Sequence, residues 1–224
     1  MSIPKIIHQT FKAAQLPFIT RWHINRFRKK NPGYRYAFYD DEQVDAFFEK
    51  EYRGEIYKAY QKINIGAAKA DLFRYAILYK EGGIYLDIDS YINSNLDTLI
   101  QQDDNAILSL ERHHDYYAQW ALLYAPGHPF LKRTLELVVD NILLNKFPYS
   151  VHGMTGPGVY TQAVNECLRE DPAISYRLVG RDYGKYFTVK YKLAKFFLYK
   201  KRSDHWKQLQ QREPVLKPEA VKAG

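Results

Sequence analysis

Apolar residues in this 224-residue chain fall into short runs that switch between two periods. Residues 3–8, 34–39, 84–88, 106–110 and 119–124 form runs of strand length rich in Ile, Leu, Tyr and Phe. Residues 19–30, 41–61, 65–80, 129–145 and 157–169 instead repeat apolar positions every three or four residues, the period of a helix with one buried face. Strands alternating with helices predict an α/β sheet with helices on both faces. Ligands of such sheets lie outside the carboxyl ends of the strands, so the residues that follow each strand carry the chemistry.

The most informative of these junctions follows the helix at 65–80. Ala68, Leu72, Tyr75, Ala76 and Tyr79 form its buried stripe, and Gly82-Gly83 ends it and turns the chain into Ile84-Tyr85-Leu86-Asp87-Ile88-Asp89. Strand side chains alternate, which predicts that Asp87 and Asp89 share a face where the strand gives way to loop. Two acids so placed repel unless a cation lies beside them. Magnesium and manganese suit that place, because they take oxygen ligands and sit between carboxylates and diphosphate oxygens. The plainer alternative is a strand end with an acidic turn. On the preceding helix, Asp71 and Arg74 lie three apart and project together toward the same strand end, as either a functional pair or a modest surface ion pair.

Asp71-Leu72-Phe73-Arg74-Tyr75 followed by Gly82-Gly83-Ile84-Tyr85-Leu86-Asp87-Ile88-Asp89 resembles the signature of glycosyltransferase family 32 and its relatives, whose sugar-binding region contains a DXD motif. Ile3-Pro4-Lys5-Ile6-Ile7-His8-Gln9-Thr10 resembles that family's first strand and nucleotide loop, with Phe11 where Trp is usual. Asn31 to Asp41 resembles its second strand, and Ala125-Pro126-Gly127-His128-Pro129-Phe130 and Thr155-Gly156-Pro157-Gly158 match further pieces in order. The likeness covers residues 3 to 165.

The resemblance implies a GT-A fold, a Rossmann-like nucleotide half continuous with an acceptor half, over residues 1–180, with 181–224 as a basic-aromatic extension that completes the site. It implies a metal-dependent hexosyltransferase that uses Mn2+ or Mg2+ and a UDP- or GDP-sugar, acts on a glycan or lipid-linked glycan in surface polysaccharide synthesis, and retains the anomeric configuration. Asp89 and Asp87 would hold the metal, which neutralises charge on the departing diphosphate. Arg74 would offer forked donors to phosphate and Asp71 an acceptor to sugar hydroxyls. His8, Gln9 and Thr10 would contact the nucleoside, Tyr85 would pack near the phosphates, and in Ser203-Asp204-His205-Trp206 His205 would complete the metal shell while Trp206 covers the nucleotide.

Composition agrees with one globular domain: 46% apolar and 26% charged residues, without repeats or low-complexity linkers. Neither a signal-peptide pattern nor an apolar run of membrane-spanning length is evident, and the single Cys167 reads as a small core residue. These features predict a cytoplasmic setting. The net charge of +8 is concentrated at 181–202, where eight cations alternate with seven aromatic residues. Such a stretch suits the inner face of an anionic membrane; the alternatives are buried aromatics with solvated charges, or a nucleic-acid surface, for which nothing specific is expected. His113-His114-Asp115 reads as a polar turn. Two other function classes compete, a haloacid-dehalogenase-type phosphohydrolase and a non-catalytic binding module. The first expects its Asp-x-Asp near the domain start; the second leaves Asp71, Arg74, Asp87 and Asp89 without a reason to assemble.

Overall fold

The computed structural model describes all residues except 1, 113–114, 192–193, 195–197, 199–205 and 219–224. The elements run β1 (Ile6–Thr10), α1 (Phe18–Lys30), β2 (Arg35–Tyr39), α2 (Asp41–Glu51), α3 (Glu55–Lys62), α4 (Gly66–Glu81) and β3 (Gly83–Leu86). After these come β4 (Tyr91–Ile92), a 3-10 turn (Leu96–Thr98), β5 (Ala106–Leu110), β6 (Ala121–Tyr124), α5 (Pro129–Leu143), α6 (Val151–Met154), α7 (Pro157–Glu170), β7 (Arg177–Arg181), β8 (Phe187–Thr188) and α8 (Trp206–Leu209). The predicted alternation is present, and most boundaries agree within two residues. The opening strand is shifted to 6–10, and the strand expected over 84–88 stops at Leu86.

Six strands form one sheet in the order β2-β1-β3-β6-β5-β7. β1 pairs in parallel with both β2 and β3, β6 is antiparallel to β3 and β5, and β7 returns parallel to β5. The chain therefore leaves β1 to build β2 on one side and comes back to build β3 on the other. That reversal opens a crevice at the carboxyl ends of β1 and β3.

Strand alternation divides the core in two. Tyr85, Leu122, Tyr124, Ala106 and Leu108 face α4, α5 and α7, while Ile7, Ile84, Leu86, Ala121, Leu123 and Ile107 face the α1 side. Helix α1 gives that second layer Ile24 and Phe27 and leaves its other side in water. Helix α4 is different: every residue from Asp71 to Leu78 is buried, so its apolar character surrounds the helix instead of forming the single stripe expected. Gly82 (φ +66°) and Gly83 (φ +99°) then turn the chain directly into β3. A Cβ on Gly83 would lie 2.7 Å from the Ile6 carbonyl oxygen, so only glycine allows β3 to approach β1 this closely.

The described residues beyond 180 are woven into the same body. Tyr183, Phe187 and Tyr191 are buried, β8 pairs with β4, and Asn64 N–H donates to the Val215 carbonyl at 2.8 Å. In this part of the 181–202 stretch the aromatics are core, so the buried-aromatic alternative holds there; Phe196, Phe197 and Tyr199 lie outside the described residues. Cys167 is buried in α7, as expected.

Candidate functional site

A cleft of about 620 Å³ opens at the carboxyl ends of β1 and β3. Thr10, Phe11 and Lys12 from the end of β1, Asp71 and Arg74 from α4, Tyr85 from β3 and Asp87, Ile88 and Asp89 beyond it all reach its wall. Gln119, His152, Gly156, Pro157, Lys190 and Trp206 complete much of the rest.

The acid pair does not reach the cleft by strand alternation. β3 ends at Leu86, and residues 87–90 form a turn in which Ser90 N–H donates to the Asp87 carbonyl at 2.9 Å. Asp87 N–H donates to the Trp120 carbonyl at 2.8 Å, and Gln9 Nε2 donates to the Asp87 carbonyl at 3.1 Å. On the far side Tyr191 N–H holds the Asp89 carbonyl at 2.9 Å, and Ser90 Oγ donates to the Val189 carbonyl at 2.6 Å. The turn is thus clamped by β1, by the approach to β6 and by the 189–191 segment, and this clamping aims both carboxylates into one cavity.

Arg74 is the centre of the site's electrostatics, and its ion pairs are not the surface pair weighed from spacing alone. The side chain is almost fully buried, with Nη2 3.1 Å from Asp71 Oδ1 and 2.9 Å from Asp87 Oδ1. Nη1 donates to the Gln119 carbonyl at 2.8 Å, and the guanidinium lies 4.7 Å from the Tyr85 ring centroid. With its donors occupied by protein acceptors, Arg74 holds Asp87 in place. Asp71 is equally engaged: Gln119 Nε2 donates to its Oδ1 and Thr155 Oγ1 to its Oδ2, both at 2.8 Å. Gln119 Nε2 also donates to the Tyr75 hydroxyl, which donates to the Thr155 carbonyl at 3.0 Å. This network joins α4, the residues before β6 and the corner between α6 and α7.

Burial pushes the Asp87 carboxyl up to about 7 despite Arg74, and the nearby Asp89 pushes in the same direction. Burial likewise raises Asp71 to about 6 against the pull of Arg74. The second carboxylate, Asp89, has Lys190 Nζ 3.1 Å from its Oδ2. With two hard oxygen donors facing one cavity, and the proton affinity of Asp87 raised by burial, the donor set suits a divalent cation that also takes phosphate oxygens.

The expected residues separate into two groups. Asp71, Arg74, Tyr85, Asp87, Asp89, Thr10 and Trp206 meet around the cleft. His8 and Gln9 do not line it. The His8 ring sits inside the sheet, with Nε2 3.1 Å from the Gly82 carbonyl and Nδ1 3.3 Å from the Tyr39 hydroxyl, and Gln9 braces Asp87 from behind while its Oε1 accepts from Tyr36. His205 lies outside the described residues, as do His113 and His114, while Asp115 lies 3.7 Å from Arg181. Gln119 belongs to no motif, and Lys190 stands out in the sequence only as one of the cations of 181–202; both arrive from loops that only the folded sheet brings near Asp87 and Asp89.

Residues 20–106 match the family described as the glycosyltransferase sugar-binding region containing the DXD motif. The initiation-specific alpha-1,6-mannosyltransferase of Schizosaccharomyces pombe is 32% identical over 198 residues, a match covering 74% of this chain and 49% of that protein. A mannosyl phosphorylinositol ceramide synthase of Saccharomyces cerevisiae is 36% identical over 158 residues, covering 69% and 40%. The chain thus spans about half the length of the curated relatives it matches. Among solved structures, the PaToxG glycosyltransferase has the same fold, with a TM-score of 0.64 at 20% identity over 76% of this chain and 71% of that one.

Proposed function

Because the chain belongs to the glycosyltransferases with a DXD-containing sugar-binding region, we propose that it moves a hexose from a nucleoside-diphosphate sugar to a glycan or lipid-linked glycan, with retention. The observation that carries this reading is the convergence of Asp87 and Asp89 on one cleft with Arg74 locked behind Asp87. The relatives' names make a mannosyl donor the first to test. We further place the activity in surface polysaccharide synthesis at the cytoplasmic face of a membrane.

In this reading Asp89, with Asp87 beside it, would hold a Mn2+ or Mg2+ ion, which would supply positive charge to the departing diphosphate. The chain's own residues do the positioning. Arg74 opposes the burial that raises Asp87 and fixes its orientation, and the Gln119, Thr155 and Tyr75 network keeps Asp71 from turning away. Lys190 adds a cation at the edge where phosphate would lie. Thr10 and Phe11 at the end of β1, and Trp206 opposite, bound the space for the nucleoside. A phosphohydrolase would need Asp87 free as a nucleophile, whereas its Oδ1 is tied to Arg74.

Incubation with a panel of UDP- and GDP-sugars, with and without manganese, tests the proposal by release of free sugar. Metal-dependent hydrolysis of one donor supports it. Hydrolysis of simple phosphomonoesters without response to any nucleotide sugar would replace it with the phosphatase alternative.

A further inference from the structure

Residues 2–39 hold eight lysines and arginines and no aspartate or glutamate. Five of these cations, Arg21, Arg26, Arg28, Lys29 and Lys30, lie on α1, and none of the five is in an ion pair among the described residues. The face of α1 opposite Ile24 and Phe27 presents Phe18, Arg21, Trp22, Asn25, Arg28 and Lys29, spaced as successive turns of one stripe. They line an open groove of about 800 Å³ that runs toward Pro32. Phe18 is 73% exposed and Trp22 44%, one helical turn apart. An aromatic pair at one end of a helix whose charges are all positive lacks the acids that a merely solvated face carries, and matches a helix lying in a membrane interface.

We propose that α1 is a docking helix for an anionic lipid bilayer, with Phe18 and Trp22 inserted among the acyl chains and Arg21, Arg28 and Lys29 on headgroup phosphates. The helix is wired to the donor cleft. Thr20 Oγ1 lies 2.7 Å from the Tyr191 hydroxyl, His23 stacks on the Tyr191 ring at 4.2 Å, and Tyr191 N–H holds the Asp89 carbonyl. Phe11 and Lys12, on the cleft wall, lead into α1. Docking by α1 therefore places the transfer cleft beside the bilayer that would carry a lipid-linked acceptor. The inference deepens the lipid-acceptor reading and rests on it for its biological sense, whereas its test reads membrane binding alone. A nucleic-acid strand is less suited, since the Trp22 face on which a base would stack is already met by the Arg26 guanidinium at 5.3 Å.

The experiment is co-sedimentation of the full chain with phosphatidylcholine vesicles, with and without phosphatidylglycerol, at low and high salt. The wild type binds the anionic vesicles at low salt. Combined Arg21→Gln, Arg28→Gln and Lys29→Gln weaken that binding about a hundredfold, near fivefold for each cation removed from an anionic surface. Combined Phe18→Ser and Trp22→Ser weaken it at both salt concentrations. All five positions are exposed, and an unchanged melting temperature and unchanged sugar-nucleotide hydrolysis show that fold and donor site survive. Absence of binding by the wild type, equal binding by the variants, or tighter binding to a single-stranded oligonucleotide than to vesicles would overturn the proposal. Loss of hydrolysis in the wild type would instead strike the transferase reading.

Discussion

Arg74 Nη2 lies 2.9 Å from Asp87 Oδ1, so the first carboxylate of the DXD turn is held by a helix that ends before the strand leading to it. Arg74 is buried while Asp87 stays partly open to the cleft, and the buried Asp71 competes for the same nitrogen at 3.1 Å. Removing one partner of such a buried group leaves the others uncompensated, which costs about 3–5 kcal/mol. Arg74→Ala is therefore expected to lower stability by that amount and to abolish transfer. Arg74→Lys should keep the charge and much of the stability but lose the fork that orients Asp87. Urea unfolding and donor hydrolysis on both variants check this; a stable but inactive Arg74→Ala protein would assign Arg74 to the substrate instead.

Asp89→Asn should leave the fold intact, because the ion pair it gives up is with a half-exposed Lys190. Turnover should fall roughly a hundredfold or more as the charge that holds the cation disappears. Asp87→Asn should also impair transfer and, unlike Asp89→Asn, lower the melting temperature, since the buried Arg74 loses one of its two acid partners. Near-normal turnover of Asp89→Asn at limiting manganese would remove the metal from this site.

Lys190 Nζ occupies Asp89 Oδ2 at 3.1 Å, so a divalent cation binding there would compete with it. Lys190→Gln is expected to strengthen stabilisation by manganese alone and to weaken stabilisation by a nucleoside diphosphate added with it. Thermal shift with each ligand separates the two effects; parallel changes in both would contradict the competition.

Gly83→Ala should destabilise the protein by about 2–4 kcal/mol, the range of a strained left-handed residue combined with a backbone clash. The new Cβ would meet the Ile6 carbonyl at 2.7 Å and force β3 away from β1. Denaturant midpoints measure the loss.

Burial holds two histidines neutral, and both His8 and His128 are lowered to about 4. Between pH 6.5 and about 4 the unfolded chain binds their protons and the folded chain does not, so their stabilising contribution is present above 6.5 and is lost as pH falls. Each accounts for about 2–3 kcal/mol over that window. Asp71 and Asp87, raised to about 6 and 7, act in the opposite sense, because the folded state takes up their protons first. The informative quantity is thus a difference between variants. His128 caps α5 by accepting from Phe130 N–H, a role asparagine performs as well. His128→Asn should gain about 2 kcal/mol relative to wild type between pH 7 and pH 4, measured by urea unfolding at each pH.

Much of this arrangement was legible in the residues. The helix at 65–80, the glycine pair and the acid pair follow from period and turn chemistry, and the alternation of strands and helices placed Asp87 and Asp89 at a strand's carboxyl end. Two things were not legible. Strand alternation explains the facing acids wrongly, because a turn closed by Ser90, Gln9 and Tyr191 does that work, and its partners lie up to a hundred residues away. The depth of Arg74 was also hidden: an Asp and an Arg three apart look alike on a surface and in a core until the helix is known to be covered on every side. The burial of the aromatics at 183, 187 and 191 was hidden for the same reason, since it comes from distant partners: the Ala121 carbonyl for Tyr183, β4 for Phe187, and His23 and Thr20 for Tyr191.

Strand β3 carries a further consequence for anyone who would divide this chain. Its hydrogen-bonded neighbours are β1 and β6, and both lie outside the matched residues 20–106. That stretch is therefore a recognisable text but not a foldable unit: expressed alone, it would leave the strand before the DXD turn with both edges bare, four buried residues with nothing to pair against. Such a fragment should aggregate, and the smallest piece worth testing for donor binding must begin before Ile6 and extend past the residues around Val215 that tie down the entrance to α4.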